Sequence, residues 1–412
     1  MTTARTTAAA DLLIGKLFGG AVEDPFPLYD ELRELGDGIH VLEGLNAHMI
    51  TRHADVRRIS GDHKTFSSEI FEGSSPSIHN PDDPEHRRFI DTASQLFMFH
   101  DPPRHTRGRS TFRHAFTPNA VRGWQAEVER AADRSLARYH AGQEIDMMTG
   151  PAAEVPVAVI AAILGVPDEV QPKFREWSYG YASTFDPMVL GDDRDAAIRA
   201  SLELFDYLAG LIAQRRAEPA DDLVSHMLGT ETFDGDRLSD GEMLSQLALL
   251  LVAGNETTTN LIGNGVTLLL DHPETRAALM ADPARIPGAV EEMLRFEPPL
   301  HYSGRKVTVD TEFNGRHFPA GSMVLLSLGA ANRDPRVYDD PLRFDIDRTE
   351  PHLSFLYGIH FCVGAHLARL EGRVFFEKLL ATYPDFAAGA EPAQRRRLNI
   401  VARGWDKRPV RL

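Results

Sequence analysis

The sequence predicts a mainly α-helical protein with a small β region, arranged as a single domain around one long central helix. Three observations carry this. From about Arg104 to Leu380 the pattern is mostly helical, interrupted by alternation of apolar and polar residues between Arg305 and Leu326. Ser239 followed by Glu242 is a capping-box pair, and no proline follows until Pro273, which leaves room for a helix of some thirty residues. Such a helix is roughly 45–50 Å long, enough to cross a whole domain. Asn314-Gly315, set among Val307, Val309, Phe313 and Phe318, makes a hairpin turn inside the alternating segment.

Taken in chain order, residues 1–15, rich in Ala and Thr, are expected to be a disordered tail, and 16–412 the single domain. Gly38–Leu42 and Ala47–Thr51 read as a small hairpin. Ser67–Pro103 is long, weakly patterned and rich in Pro, Ser, Asp and His, the composition of a lid-like loop. Arg175–Asp193, with Trp177, Tyr179, Tyr181 and Phe185, is a second mobile apolar wall, and Glu391–Arg403 a last pair of strands.

Charge and cysteine content exclude some functions. With 44 Lys and Arg against 60 Asp and Glu, the formal charge of −16 repels phosphate backbones and argues against nucleic acid as main partner. One cysteine cannot make an internal disulfide, so a reducing, cytoplasmic location is expected. Asp11 and Lys16 break the apolar part of the first twenty residues, which therefore lack the core of a secretion signal. The longest apolar run, Leu247–Gly254, ends in Asn255 and Glu256 and is far short of the roughly 20 residues of a membrane span.

The chemistry concentrates around that cysteine, in Phe355-Leu-Tyr-Gly358-Ile-His360-Phe-Cys362-Val-Gly364, just ahead of a good helix former. A cysteine at a helix amino terminus has its thiolate favoured by the helix dipole and by unpaired backbone N–H groups. Gly358 permits a turn that a side chain would resist, and Gly364 lets a flat ligand approach closely. Taken alone, a single cysteine is more often an inert core residue. Its neighbours decide the matter. The loop resembles the cysteine-ligand signature of the cytochrome P450 superfamily, matched here at Phe355, Gly358, His360, Cys362 and Gly364. Leu356 departs, since that position is normally glycine, and the departure bears on the backbone of the loop rather than on the ligand.

Further motifs follow in the superfamily's order, over residues 20 to 412. Ala253-Gly254-Asn255-Glu256-Thr257 interrupts the long helix, and glycine there costs about 1 kcal/mol relative to alanine. An exposed stretch of an amphipathic helix is the bland alternative. The resemblance implies that Gly254 opens a groove for dioxygen while Glu256 and Thr257 deliver protons. Glu292 and Arg295, three residues apart on one helix face, would ordinarily be a surface pair. The resemblance implies a buried structural pair joined by a later arginine, for which Arg343 is the candidate. It also implies that His105, Arg109, Arg305 and His360 hold the propionates of a haem b whose iron is ligated axially by Cys362. Leu249, Val252, Ala253, Leu300, His301, Ile400 and Val401 fall at pocket positions, although His301 could equally be tied to a neighbouring loop.

The implied activity is that of a monooxygenase acting on O2 and a hydrophobic small molecule by hydroxylation or epoxidation. Its electrons would come from a separate ferredoxin and ferredoxin reductase. Arg104, Arg107, Arg113, Arg369 and Arg373 are the candidates for a basic docking patch, unless acids such as Glu371 and Glu377 pair with them. A peroxide-driven peroxygenase would not need Glu256 and Thr257, and a haem-binding sensor would need no proton relay. A cysteine hydrolase using Cys362 with His360 or His366 fits poorly, because a histidine so near in an irregular loop is rarely oriented as a base.

Overall fold

The computed structural model describes residues 2–19, 22–42, 46–71, 80, 82–112, 115–185, 189–396 and 401–412. Their contacts gather the chain into two compact units. One comprises residues 1–70, 264–362 and 394–406, and the other residues 71–263, 363–393 and 407–412. The chain passes repeatedly from one unit to the other, so neither is a contiguous stretch of sequence.

The first unit holds the main sheet, in the strand order Ile39–Leu42, Ala47–Ile50, Met323–Ser327, Tyr302–Val307, Phe66–Ser67. The pairing is antiparallel except between Ala47–Ile50 and Met323–Ser327, which run parallel. A separate two-stranded hairpin, Thr311–Phe313 with Arg316–Phe318, turns on Asn314 and Gly315. Both turn residues have positive φ (51° and 73°), as a two-residue hairpin of this type requires. Ile39, Ile50, Val56, Phe66, Phe318, Val324 and Leu326 close one core beneath the sheet. On the other side Leu13, Leu17, Tyr29, Leu32 and Met49 form a second. Leu13 and Leu17 belong to a helix, Thr2–Phe18, which stands where a disordered tail was expected. Ala10, Leu13 and Leu17 recur at helical spacing and are buried, which Ala- and Thr-rich composition alone did not reveal.

The second unit is helical apart from a small sheet of Glu144–Asp146, Pro409–Arg411 and Ala387–Ala388. The segment read as a weakly patterned, lid-like loop contains a helix, Pro84–Ala93, started by Asp83, whose carboxylate accepts from the amides of Glu85 and His86. That helix docks on Gly191–Ala217 through Arg88 with Asp206 and through the stacked rings of Phe89 and Phe205, 6.3 Å apart. The expected apolar wall is the helix Gln171–Ser183 and the start of Gly191–Ala217. The long helix runs from Asp240 to Asp271, 32 residues, of which those from Asn264 on are counted with the first unit, and its capping box is closed in both directions. The amide of Ser239 donates to Glu242 (2.8 Å) and that of Glu242 to Ser239 Oγ (3.2 Å). Among the described residues no helix is long and apolar enough to cross a membrane.

Candidate active site

The cysteine loop rests on the His53–Gly61 helix within the first unit. Gly358 has φ of 80°, and a Cβ there would come within 2.9 Å of the Ser60 carbonyl oxygen, so only glycine fits. Arg57 lies 4.1 Å over the Tyr357 ring and pins the loop from the same helix. Leu356, the departure from the family pattern, keeps a left-handed backbone with φ of 60°. Its side chain packs against the core beneath the sheet. The leucine therefore accepts strain of about 1–2 kcal/mol in return for apolar burial. The amide of Cys362 donates to the Phe355 carbonyl (2.9 Å), and its thiol is exposed.

Behind the loop lies the Glu292–Arg295 pair, which is buried to within 2%. The guanidinium meets the carboxylate in a fork with both N···O distances 2.7 Å, and it also donates to the carbonyls of Asn332, Pro341 and Arg343. Asn332 bonds Ser354 Oγ and the amide of Leu353, which links the pair to the start of the cysteine loop. The third arginine is Arg348, not Arg343 as the sequence suggested. Arg348 Nε sits 3.6 Å from Glu292, whereas the Arg343 side chain is 67% exposed and offers only its backbone oxygen. Spacing on the irregular 332–354 stretch could not choose between them.

In the second unit, the long helix is buried on either side of one opening. Ala253 is exposed and Val252, Glu256 and Thr257 are half-buried, while Leu249, Leu251, Asn255 and Thr258 are buried. The Thr257 hydroxyl donates to the Ala253 carbonyl at 2.6 Å, which aims its oxygen lone pairs away from the helix backbone. The helix continues through Gly254. Here glycine serves packing, since a Cβ would lie 2.9 Å from Ile160 Cδ1 on the Pro151–Ile163 helix. Neither that contact nor the Asn255–Ser178 hydrogen bond (2.8 Å) was legible, although an amide inside an apolar run was a signal for the latter.

The remaining predicted residues divide between the units. His105 is buried on the Arg104–Ser110 helix, edge-on to Phe97, with Arg109 half-buried beside it. Arg305 is buried on its strand and bonds Ser303 Oγ and the Gly304 carbonyl (3.1 and 2.7 Å). His360 ends the short turn Gly358–His360. Leu300, His301 and Val401 are brought together by the Leu300–Ala402 bridge and the His301 N to Val401 O bond of 2.8 Å. The His301 ring turns to Tyr29, with Nδ1 2.8 Å from the hydroxyl, and burial holds its pKa well below the usual value. Nearby Glu297 is also buried, which opposes ionisation, but Arg395, Arg403 and Arg333 overcome this and hold its pKa at about 2. Ile400 and Arg113 lie outside the described residues. Of the proposed docking arginines, Arg107 is engaged by Asp234 and Glu242 (2.8 Å each) and Arg373 by Glu377 (2.9 Å).

The exposed thiol of Cys362, on a loop braced at Gly358 and Tyr357, is a donor that fits haem iron. Comparison with known proteins agrees. The family model described as Cytochrome P450 matches residues 77–384. Cytochrome P450 107B1 of Saccharopolyspora erythraea is 39% identical over 382 residues, 90% of this chain and 91% of that protein. Vitamin D(3) 25-hydroxylase of Pseudonocardia autotrophica is 38% identical over 401 residues, 96% and 95% of the two chains. Among solved structures, P450BioI in complex with hexadec-9Z-enoic acid ligated acyl carrier protein superposes with a TM-score of 0.86 at 30% identity, covering 95% and 98%. The chain belongs to the cytochrome P450 family and is a haem-thiolate monooxygenase of that family.

Proposed function

We propose that this protein is a cytoplasmic monooxygenase that takes electrons from a ferredoxin and its reductase and hydroxylates or epoxidises an apolar small molecule. The braced cysteine loop is the observation that carries this reading. Cys362 Sγ would ligate the iron of haem b, and His105, Arg109, Arg305 and His360 would hold the propionates by charge-assisted hydrogen bonds. Residues 16–412 are taken to work as one cytochrome P450 domain. When bound, the haem supplies dioxygen activation, which thiolate ligation favours. One oxygen atom enters the substrate and the other leaves as water, consuming two protons and two electrons.

The chain's own task is to deliver those protons and to position the substrate. Thr257 Oγ1, its hydrogen committed to the Ala253 carbonyl, accepts and passes on a proton that Glu256 supplies. On the long helix, Leu249, Val252 and Ala253 present apolar surface to the substrate, while the His301 ring is held by Tyr29. The apolar substrate class is supported by the relatives, one named for vitamin D(3) and another crystallised with an acyl chain. Arg107 and Arg373 are engaged by acids, which weighs against those two as ferredoxin contacts.

The test uses purified holoenzyme with a surrogate ferredoxin and vitamin D3 as probe. The expected result is NADH-dependent oxygenation, and in Thr257→Ala continued NADH consumption diverted to hydrogen peroxide. Product formed from added peroxide but not from NADH would favour a peroxygenase. Unchanged coupling in Thr257→Ala would assign the proton to another group.

A further inference from the structure

Asn255 stands one residue before Glu256 and two before Thr257, yet it points away from the opening they border. Its Nδ2 donates to Ser178 Oγ at 2.8 Å, both residues being buried (7% and 1% exposed). Its Oδ1 faces Thr259 Oγ1 at 3.4 Å. Immediately before it, Gly254 is seated on Ile160. This turn of the long helix is thus gripped from two other helices, Pro151–Ile163 and Gln171–Ser183, while Ala253 stays exposed and Val252, Glu256 and Thr257 half-buried.

The second grip leads to a different part of the unit. Three residues beyond Ser178, Tyr181 packs on Phe205 (5.3 Å between centroids), Phe185 (5.2 Å) and Phe89 (6.1 Å). Phe185 in turn meets Phe99 (5.9 Å) and Phe99 stacks on Phe71 (5.3 Å). One short helix therefore carries both the hydroxyl that holds Asn255 and the middle of an aromatic chain. That chain spans the Pro84–Ala93 and Gly191–Ala217 helices and the Phe97–Phe99 turn. A shift of this wall bears on Ser178, and through Asn255 on the rotation of the turn bearing Glu256 and Thr257.

We propose that Asn255 and Ser178 are a positioning pair that holds the acid–threonine turn in its proton-delivering orientation and couples that orientation to the packing of the aromatic wall. The proposal rests on the reading of Glu256 and Thr257 as the proton relay. It predicts a defect in proton delivery rather than in haem binding, because neither residue borders the opening.

The experiment compares holoenzyme of wild type, Asn255→Ala, Ser178→Ala, the double variant and Ser178→Thr. Two quantities are read: hydrogen peroxide per NADH with a surrogate ferredoxin and vitamin D3, and amide hydrogen exchange of residues 253–259. Each alanine variant should raise peroxide per NADH about fivefold, as the loss of one buried neutral hydrogen bond implies. Each should also speed exchange across the turn. The double variant should be no worse than the worse single, since both remove one shared interaction. Ser178→Thr, which keeps the hydroxyl, should behave as wild type. Unchanged peroxide yield with a lowered melting temperature would overturn the proposal by reducing the pair to ordinary helix packing, and additive effects would overturn it as two independent sites. Ser178→Ala removes a single oxygen at a helix position, so it remains readable even if Asn255→Ala does not fold. A wild type that consumes no NADH would instead defeat the monooxygenase reading. The exchange measurement then still judges the pair, with unchanged exchange at residues 253–259 counting against it.

Discussion

Arg295→Leu is expected to destabilise the protein by about 3–5 kcal/mol, the cost of breaking a buried ion pair by removing one partner. Glu292 would be left at 2% exposure with only the Asp345 amide (2.8 Å) and the more distant Arg348 to hold its charge. Three backbone carbonyls, those of Asn332, Pro341 and Arg343, would lose their donor at the same time. Because Asn332 is tied to Ser354, the damage should reach the cysteine loop and show as lost haem as well as lost stability. Urea unfolding and the haem content of purified protein measure both. Arg343→Ala is the control: its side chain is largely exposed, so a change within about 0.5 kcal/mol is expected. Equal losses in the two variants would mean that Arg343, as first read from the sequence, is the third member after all.

The second large effect is a pH dependence set by Glu371. This residue lies on the Ala365–Thr382 helix, 1% exposed, with Oε1 lacking a hydrogen-bond partner. Burial pushes its pKa up to about 8, against a smaller opposing effect of its hydrogen bond with Thr258. Between its ordinary value of 4.5 and about 8, the native protein keeps a proton that the unfolded chain has released. Raising the pH through that window therefore removes stability, by up to about 1.4 kcal/mol per pH unit, and below it the contribution is fully present. Glu371→Gln cannot ionise. Relative to wild type it should gain stability between pH 5 and pH 8, on the order of 3–4 kcal/mol. Parallel unfolding profiles for the two proteins across that range would show that Glu371 ionises without penalty.

Local signals were the legible ones. The Asn314-Gly315 turn, the Ser239–Glu242 capping box, the length of the long helix and the cysteine loop all depend on residues a few positions apart, where spacing dictates geometry. Interactions between distant segments were not legible. Whether Arg343 or Arg348 meets Glu292 depends on an irregular path between Asn332 and Ser354. That His301 turns to Tyr29 joins residues 272 apart in sequence. The helix at Pro84–Ala93 was hidden by proline and acidic residues that read as loop, though they are its first turn and cap. Leu356 was visible as an exception. What the sequence did not show is that the backbone keeps the glycine-like conformation and the side chain packs, partly buried, against the core.

Cys362 is expected to ligate haem iron as a thiolate, and the absorption spectrum of the reduced protein with carbon monoxide tests this most directly. Wild-type holoprotein, freshly purified, should show the long-wavelength Soret band of thiolate ligation, and Cys362→His should lose that band while haem can still be bound. Since the chain has a single cysteine, no other thiolate can supply the signal. A wild-type spectrum with only the short-wavelength band of a neutral ligand would contradict the account.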